Sequence, residues 1–207
     1  MEKNRINLIY ILTLGLWPLI PIYFILRFTE NNIWLAFVAY HVGCLIVPRS
    51  HIKRARFPIA NWRSWILMVG ITSALLLLAI SAFTLWLAKM GLFTQEGMSA
   101  LNRIQPWPLF GLYILIVNPI LEEYYWRDYL QERAGLFLST ALFGLIHFPF
   151  YALFLGYLIG FVTCFSPFLL GLFWGWLFRR FDTLWPGIIS HLAVNIAMFV
   201  IATLART

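Results

Sequence analysis

Residues 64–90 have the sequence SWILMVGITSALLLLAISAFTLWLAKM, in which Lys89 is the single charged residue. A run of about 20 apolar residues is long enough to cross the hydrocarbon core of a bilayer as a helix. In lipid, such a segment must satisfy its backbone hydrogen bonds internally, and it lacks the polar and apolar alternation typical of a membrane strand. The stretch therefore predicts a transmembrane helix.

Similar apolar runs occur along the rest of the chain. We predict further spans at about residues 6–28, 33–47, 108–127, 136–152, 157–178 and 184–204. Of the 207 residues, 62% are apolar and 11% charged, with a mean hydropathy of +0.82, and this composition excludes an ordinary water-soluble core. The predicted fold is an all-α, polytopic transmembrane bundle of about seven helices in one domain, residues 1–207. Kinks or breaks are predicted at Pro18, Pro21, Pro119, Pro149 and Pro167.

The formal charge of +7 comes from basic residues between the apolar runs, so it does not indicate a nucleic-acid partner. The densest cluster consists of Arg49, Lys53, Arg54, Arg56 and Arg63. If this loop is cytoplasmic, eleven basic residues lie inside and four outside, in agreement with the positive-inside rule. We therefore predict a multi-pass protein of the cell membrane with a cytoplasmic N-terminus. The first run lacks a small-x-small cleavage site, so we expect it to be retained as a helix.

The fourth predicted span ends in two adjacent acids and an arginine, Glu122, Glu123 and Arg127. Ionisable residues inside a membrane cost about 2–3 kcal/mol each on insertion scales, so they normally face the bundle interior and have a function. Glu123 and Arg127 are four residues apart with the acid first, which favours an ion pair on one helix face. Glu122 lies about 100° round the helix from Glu123 and is poorly placed to share that arginine. We predict that Glu122 is the freer carboxylate and acts as a general base, while Glu123 and Arg127 support it.

Two histidines and an amide lie in later predicted spans. Phe143 and His147 are one turn apart in the fifth span, where the phenylalanine would orient the imidazole. His191 and Asn195 are also four residues apart, so both project from one face of the last helix. Their N–H groups could donate to an oxygen that gains negative charge, as in an oxyanion hole. The residues leave open whether His147 assists the base or binds a metal.

The predicted topology places these motifs at comparable depths. At a rise of 1.5 Å per residue, Glu122, His191 and His147 lie roughly 8, 10 and 16 Å from the cytoplasmic ends of their spans. We therefore expect three distant segments to converge on one cavity that opens to the cytoplasm and admits water.

The three stretches resemble the motifs of the CPBP intramembrane proteases, the CAAX-processing and bacteriocin-associated membrane enzymes also called the Abi domain. The family patterns EExxxR, FxxxH and HxxxN are matched by Glu122, Glu123 and Arg127, by Phe143 and His147, and by His191 and Asn195. The resembling region covers about residues 106–204. The resemblance implies a hydrolase in which Glu122 and His147 activate water while His191 and Asn195 stabilise the oxyanion. It also implies a peptide or protein substrate that is membrane-anchored or has a processed tail.

Two alternatives accompany this interpretation. Two histidines and a glutamate are the ligand set of a catalytic zinc, but the chain has no HExxH motif. We predict no cofactor and keep a zinc-dependent protease as the first alternative. The second is a non-enzymatic transporter, immunity or scaffold protein, in which the same residues relay protons or hold helices together. Transporters of that kind usually contain an internal repeat, and none is visible here.

Four further residues of chemically active types are excluded from the predicted site. His41 and His51 have no acidic or polar partner at a useful spacing, so we expect both to be structural or interfacial. Cys44 and Cys164 lie within apolar runs, and we expect both to be small buried residues.

Overall fold

The computed structural model describes residues 8–46 and 62–206, and most of them are helical. The α-helices are α1 Leu8–Leu16, α2 Leu19–Phe28, α3 Ile33–Ile46, α4 Trp62–Lys89, α5 Gln95–Asn102, α6 Trp107–Leu112, α7 Asn118–Glu123, α8 Gln131–Ile146, α9 Phe148–Leu155, α10 Tyr157–Thr163, α11 Phe165–Phe181 and α12 Trp185–Ala205. Two π-helical segments, Tyr113–Val117 and Tyr124–Leu130, lie on either side of α7. These described residues form no β-strand, and the predicted all-α bundle is confirmed.

Five helical stretches are long and apolar enough to cross a membrane: Leu8–Phe28, Trp65–Lys89, Trp107–Leu155, Tyr157–Phe181 and Trp185–Ala205. The helix Ile33–Ile46 is apolar but shorter. In the span Trp65–Lys89 only 11% of the apolar window is buried inside the protein, and Leu67, Leu75 and Leu78 are exposed. Apolar surface of this extent needs lipid around it, so the chain is a multi-pass membrane protein.

The stretch Trp107–Leu155 contains two crossings because the chain reverses at Gly135. Gly135 has φ +79° and ψ 169°, a conformation outside the helical region that glycine adopts readily. In a straight helix, Trp126 and Phe143 would be about 25 Å apart. Their ring centroids are instead 5.4 Å apart. The predicted spans 108–127 and 136–152 are therefore separate helices that pack side by side.

Hydrogen bonds between distant segments show which loops share an end of the bundle. At one end, Arg103 donates to the Glu30 carbonyl at 2.7 Å, and Arg206 donates to the Ile104 carbonyl at 3.3 Å. At the other end, Gly135 and Arg179 line a common cavity of about 440 Å³. Arg103 and Arg206 thus lie at the end opposite Arg179, as the predicted topology requires.

The predicted proline positions mostly coincide with helix beginnings. Pro18 separates α1 from α2, and Pro149 and Pro167 lie in the first turns of α9 and α11. A missing N–H costs little there because the first helical turn has no internal acceptor for it. Pro119 differs, since it lies in α7 between the two π-helical segments, and π-bulges are frequent at functional sites.

Some predictions concern residues outside the described ranges. These are Lys3, Arg5, Arg49, His51, Lys53, Arg54 and Arg56. The backbone of Arg63 is described, but its side chain also lies outside the description. The proposed cytoplasmic location of the basic cluster and the single-domain organisation therefore stay predictions.

Five helices surround the motif residues: α3, α7, α8, α11 and α12. Helix α7 packs against α3 on one side and α12 on the other, and α8 packs along α11. The buried rings of Trp126, Phe143 and Trp174 fill the space between these helices. The three motifs therefore face one another across a common core.

Candidate active site

The EExxxR motif occupies the end of α7 and the π-helical segment after it. Glu122, Glu123 and Arg127 are 2%, 1% and 0% exposed. The Arg127 Nε lies 3.4 Å from the Glu123 Oε2, so these two residues form the pair that their spacing predicts. The Arg127 guanidinium also stacks over the Phe143 ring, with its central carbon 4.8 Å from the ring centroid. Both contacts compensate part of the cost of burying the charge.

The imidazole of His191 lies between the two carboxylates. Its Nδ1 contacts the Glu123 Oε1 at 3.2 Å, and its Nε2 lies 3.4 Å from the Glu122 Oε2. Gly187, one turn earlier in α12, makes room for this arrangement, since a Cβ there would lie 2.7 Å from the Glu123 Oε2. The last helix is thus fitted closely to the acidic pair.

The ring of His191 is held flat by a tryptophan. Trp174 of α11 stacks on it with centroids 4.0 Å apart and an interplanar angle of 15°. The Trp174 indole N–H donates to the Ser190 hydroxyl at 3.2 Å, which fixes the indole on the same helix. The sequence patterns did not identify Trp174, because it lies in none of the three motifs.

His147 ends α8, and its hydrogen bond defines its tautomer. Its Nδ1 lies 2.7 Å from the Phe143 carbonyl oxygen, which can only accept, so Nδ1 carries a proton. In the neutral ring, Nε2 then has a free lone pair and can accept a proton. The Phe143 ring packs edge-on against the imidazole at 4.7 Å. The phenylalanine therefore orients the histidine through both its ring and its carbonyl.

Asn195 has an acceptor that the sequence did not suggest. Its Nδ2 donates at 2.9 Å to the carbonyl of Ile114 in the first π-helical segment. In that segment the Asn118 N–H bonds five residues back to Tyr113, and Pro119 has no N–H. The Ile114 carbonyl is thereby left without a helical donor, and Asn195 supplies one from the last helix.

Phe143 lies at the centre of the three motifs. Its ring is 4.7 Å from that of His147 and 6.5 Å from that of His191, and the Arg127 guanidinium stacks on it. The structure therefore connects six of the seven motif residues by direct contacts, and the seventh, Asn195, lies one turn after His191 on α12. Glu122 differs from its neighbour because the Arg127 ion pair is made with Glu123.

The predicted cavity at these residues is closed in this structure. Glu122 and His191 are almost completely buried. The cavity of about 440 Å³ noted above is lined by Gln131, Glu132, Gly135, Phe178 and Arg179. Gln131 is one turn beyond Arg127, and Phe178 is one turn beyond Trp174. This cavity therefore lies next to the motif residues, at the bundle end that we predict to be cytoplasmic.

His41 is more closely connected to the site than its sequence context suggested. It is buried in α3, so it is not interfacial, and its Nδ1 is 2.6 Å from the Tyr113 hydroxyl. This partner is 72 residues away, which explains why spacing did not reveal it. The cysteines Cys44 and Cys164 are both buried and free, as expected.

Across residues 8–46 and 62–206, no group of three or more histidine, cysteine, aspartate or glutamate side chains is arranged to hold a metal ion. The absence of a cofactor stays a prediction, and chelation tests it directly.

Comparison with known proteins identifies the region that contains the motifs. Residues 104–197 match the family described as type II CAAX prenyl endopeptidase Rce1-like. No curated protein and no solved structure matches the chain. The matched segment begins before α6, contains all seven motif residues, and ends within α12. Through this segment the chain is similar to the type II CAAX prenyl endopeptidases of the Rce1-like family, in agreement with the resemblance to the CPBP membrane proteases that the three motifs carry.

Proposed function

We propose that this protein is an intramembrane endopeptidase that hydrolyses a peptide bond near the cytoplasmic membrane face with a water molecule activated by Glu122. The observation that carries the proposal is the meeting of three motifs around Phe143, where the Glu122 Oε2 lies 3.4 Å from the His191 Nε2 and Arg127 makes its ion pair with Glu123 instead. The family match supports protease chemistry at these residues.

In the proposed reaction, Glu122 accepts a proton from water while the water oxygen attacks the peptide carbonyl carbon. The Nε2 lone pair of His147 accepts a hydrogen bond from the same water. The tetrahedral intermediate collapses, the C–N bond breaks, and the leaving nitrogen takes the proton from Glu122. The products are a carboxylic acid and an amine, and transfer of the acid's proton to the amine gives a carboxylate and an ammonium group, so protons balance without a cofactor.

His191 and Asn195 are the proposed donors to the oxyanion, and their contacts set conditions on that role. The Nδ1 of His191 faces Glu123, so Nε2 donates to the oxyanion only when the ring is doubly protonated. One Nδ2 proton of Asn195 is already bonded to Ile114. The second amide proton is therefore the one that we assign to the oxyanion.

The family description suggests the first substrate to test. A quenched fluorescent peptide that ends in a farnesylated CAAX sequence is compared with the same peptide without the farnesyl group, using the purified protein in detergent. We expect cleavage by the wild type and at least about 10³-fold slower cleavage by Glu122→Gln, with unchanged thermal unfolding. Full activity of Glu122→Gln would remove the central claim, and cleavage of the unmodified peptide alone would exclude a prenyl requirement.

A further inference from the structure

The three motifs assign no role to the side of α7 that packs against α3. This helix lies outside the matched segment 104–197 and contributes no residue to the three motifs. It nevertheless packs against α7, which contains Glu122. Tyr40 of α3 is 2% exposed, and its hydroxyl can donate a hydrogen bond to a buried carboxylate.

A hydrogen bond fixes where the Tyr40 hydroxyl lies. The indole N–H of Trp126 donates to it at 2.7 Å, although the two residues are 86 positions apart. Trp126 is four residues after Glu122, so the two side chains project from neighbouring positions on one face of the helix. The Tyr40 hydroxyl is therefore held beside the face of the helix that carries Glu122.

The same bond also orients the Tyr40 proton. Because the indole can only donate, it occupies a lone pair of the hydroxyl oxygen and leaves the O–H free to donate elsewhere. A carboxylate is the strongest acceptor among the neighbouring groups, and each of its oxygens has two lone pairs. Glu122 can thus accept from Tyr40 and still take a proton from water.

We propose that Tyr40 is a positioning residue that donates a hydrogen bond to Glu122 and holds its carboxylate in the orientation needed to activate water. This inference rests on the proposed role of Glu122. It assigns a function in the reaction to the N-terminal part of the chain, which the family match does not cover.

The test compares Tyr40→Phe with Tyr125→Phe in the same peptide cleavage assay. Tyr125 is a matched control because it is equally buried and its hydroxyl bonds across helices to the Leu14 carbonyl, away from Glu122. We expect Tyr40→Phe to lower kcat about 10- to 100-fold with little change in KM, the range for a lost hydrogen bond to a charged group. Tyr125→Phe should keep its kcat even if both variants unfold at lower temperature. Equal kcat values for Tyr40→Phe and the wild type would overturn the inference.

A spectroscopic readout separates this inference from the proposed function. The infrared difference spectrum between the wild type and Glu122→Gln isolates the carboxyl bands of Glu122. These bands should shift in Tyr40→Phe and stay in place in Tyr125→Phe. Unshifted bands in Tyr40→Phe would contradict the inference even if the peptide is cleaved. Shifted bands would support it even if no tested peptide is cleaved, an outcome that would count against the protease proposal alone.

Discussion

At the scale of single residues, the two adjacent glutamates have different surroundings although the sequence places them side by side. Glu123 forms an ion pair with Arg127 and also contacts His191, whereas the ion-pair contact of Glu122 is with His191. Their positions on a helix predicted this division, because a step of 100° turns neighbours toward different partners. We therefore expect substitution of Glu123 to lower mainly stability and substitution of Glu122 to lower mainly activity.

The first prediction contrasts Glu123→Gln with Glu122→Gln. Removing the Glu123 charge leaves the Arg127 guanidinium buried without its ion-pair partner, which costs about 3 kcal/mol or more. We expect Glu123→Gln to lower the thermal unfolding temperature in detergent clearly, while Glu122→Gln unfolds like the wild type. If Glu122→Gln were the less stable variant, Glu122 would be the structural residue and Glu123 the candidate base.

The second prediction concerns the close approach at Gly187. An alanine Cβ there would lie 2.7 Å from the Glu123 Oε2, so the carboxylate or α12 must move. Because a displacement of about 1 Å can cost 100-fold in rate, we expect peptide cleavage by Gly187→Ala to slow roughly 10- to 100-fold. Gly70→Ala is the matched control, since an added Cβ there has no neighbour within 4 Å. Equal rates for the two variants would show that α12 tolerates the methyl group without disturbing the site.

At the scale of helices, Pro119 and Asn195 form a linked pair across α7 and α12. The proline removes a backbone donor, and the asparagine of another helix satisfies the Ile114 carbonyl instead. The sequence predicted a disturbance at Pro119 and a polar patch at Asn195, but it gave no reason to connect them. The connection depends on how the last helix is rotated against the π-helical segment.

The third prediction separates the structural part of Asn195 from its proposed catalytic part. Asn195→Ala leaves the Ile114 carbonyl unsatisfied, at a cost of about 1–3 kcal/mol. Pro119→Ala restores a backbone N–H, so Asn195→Ala should cost less stability in that background. We expect thermal unfolding to show this rescue while peptide cleavage stays slow. Recovery of full cleavage in the double variant would mean that Asn195 acts only as a structural donor.

At the scale of the whole molecule, the two ends of the bundle differ in charge. Arg103 and Arg206 lie at one end, whereas Arg179 lies at the other, next to the cavity adjoining the motif residues. Over the whole sequence, the predicted topology places eleven basic residues at the latter end and four at the former, so the positive-inside rule predicts that the latter end is cytoplasmic. We therefore expect the site to lie near the cytoplasmic face.

The fourth prediction tests the orientation by cysteine labelling. Arg180→Cys and Lys89→Cys place exposed thiols at opposite ends of the bundle, in a background where Cys44 and Cys164 are buried. A membrane-impermeant maleimide should label Lys89→Cys in intact right-side-out vesicles, and Arg180→Cys only after the membrane is opened. The reverse pattern would place the site at the outer face.

The fifth prediction concerns metal dependence. We expect cleavage by the purified protein to be unchanged after treatment with EDTA and 1,10-phenanthroline, because the proposed base and its histidine neighbour act on water directly. Activity that is lost on chelation and restored by zinc would establish the zinc-dependent alternative instead.

Much of the site was predictable because its motifs are local. The pair of Glu123 and Arg127, and the orientation of His147 by Phe143, both arise within one helical turn, so residue spacing is sufficient to infer them. Trp174, Tyr40 and Tyr113 were missed because each contacts its partner across helices. Their contacts depend on helix rotation and packing, which spacing does not encode.

The sequence by itself determined the membrane environment, the helical fold and the residues that we propose to hydrolyse a peptide bond. Hydropathy and i,i+4 spacing are properties of short segments, and lipid leaves such segments no alternative to helices. The tertiary structure alone decided that His191 lies between two carboxylates, that Trp174 stacks on it, and that α3 brings Tyr40 to Trp126, one turn after Glu122. These arrangements join residues from 17 to 86 positions apart, and only the packing of whole helices against one another brings them together.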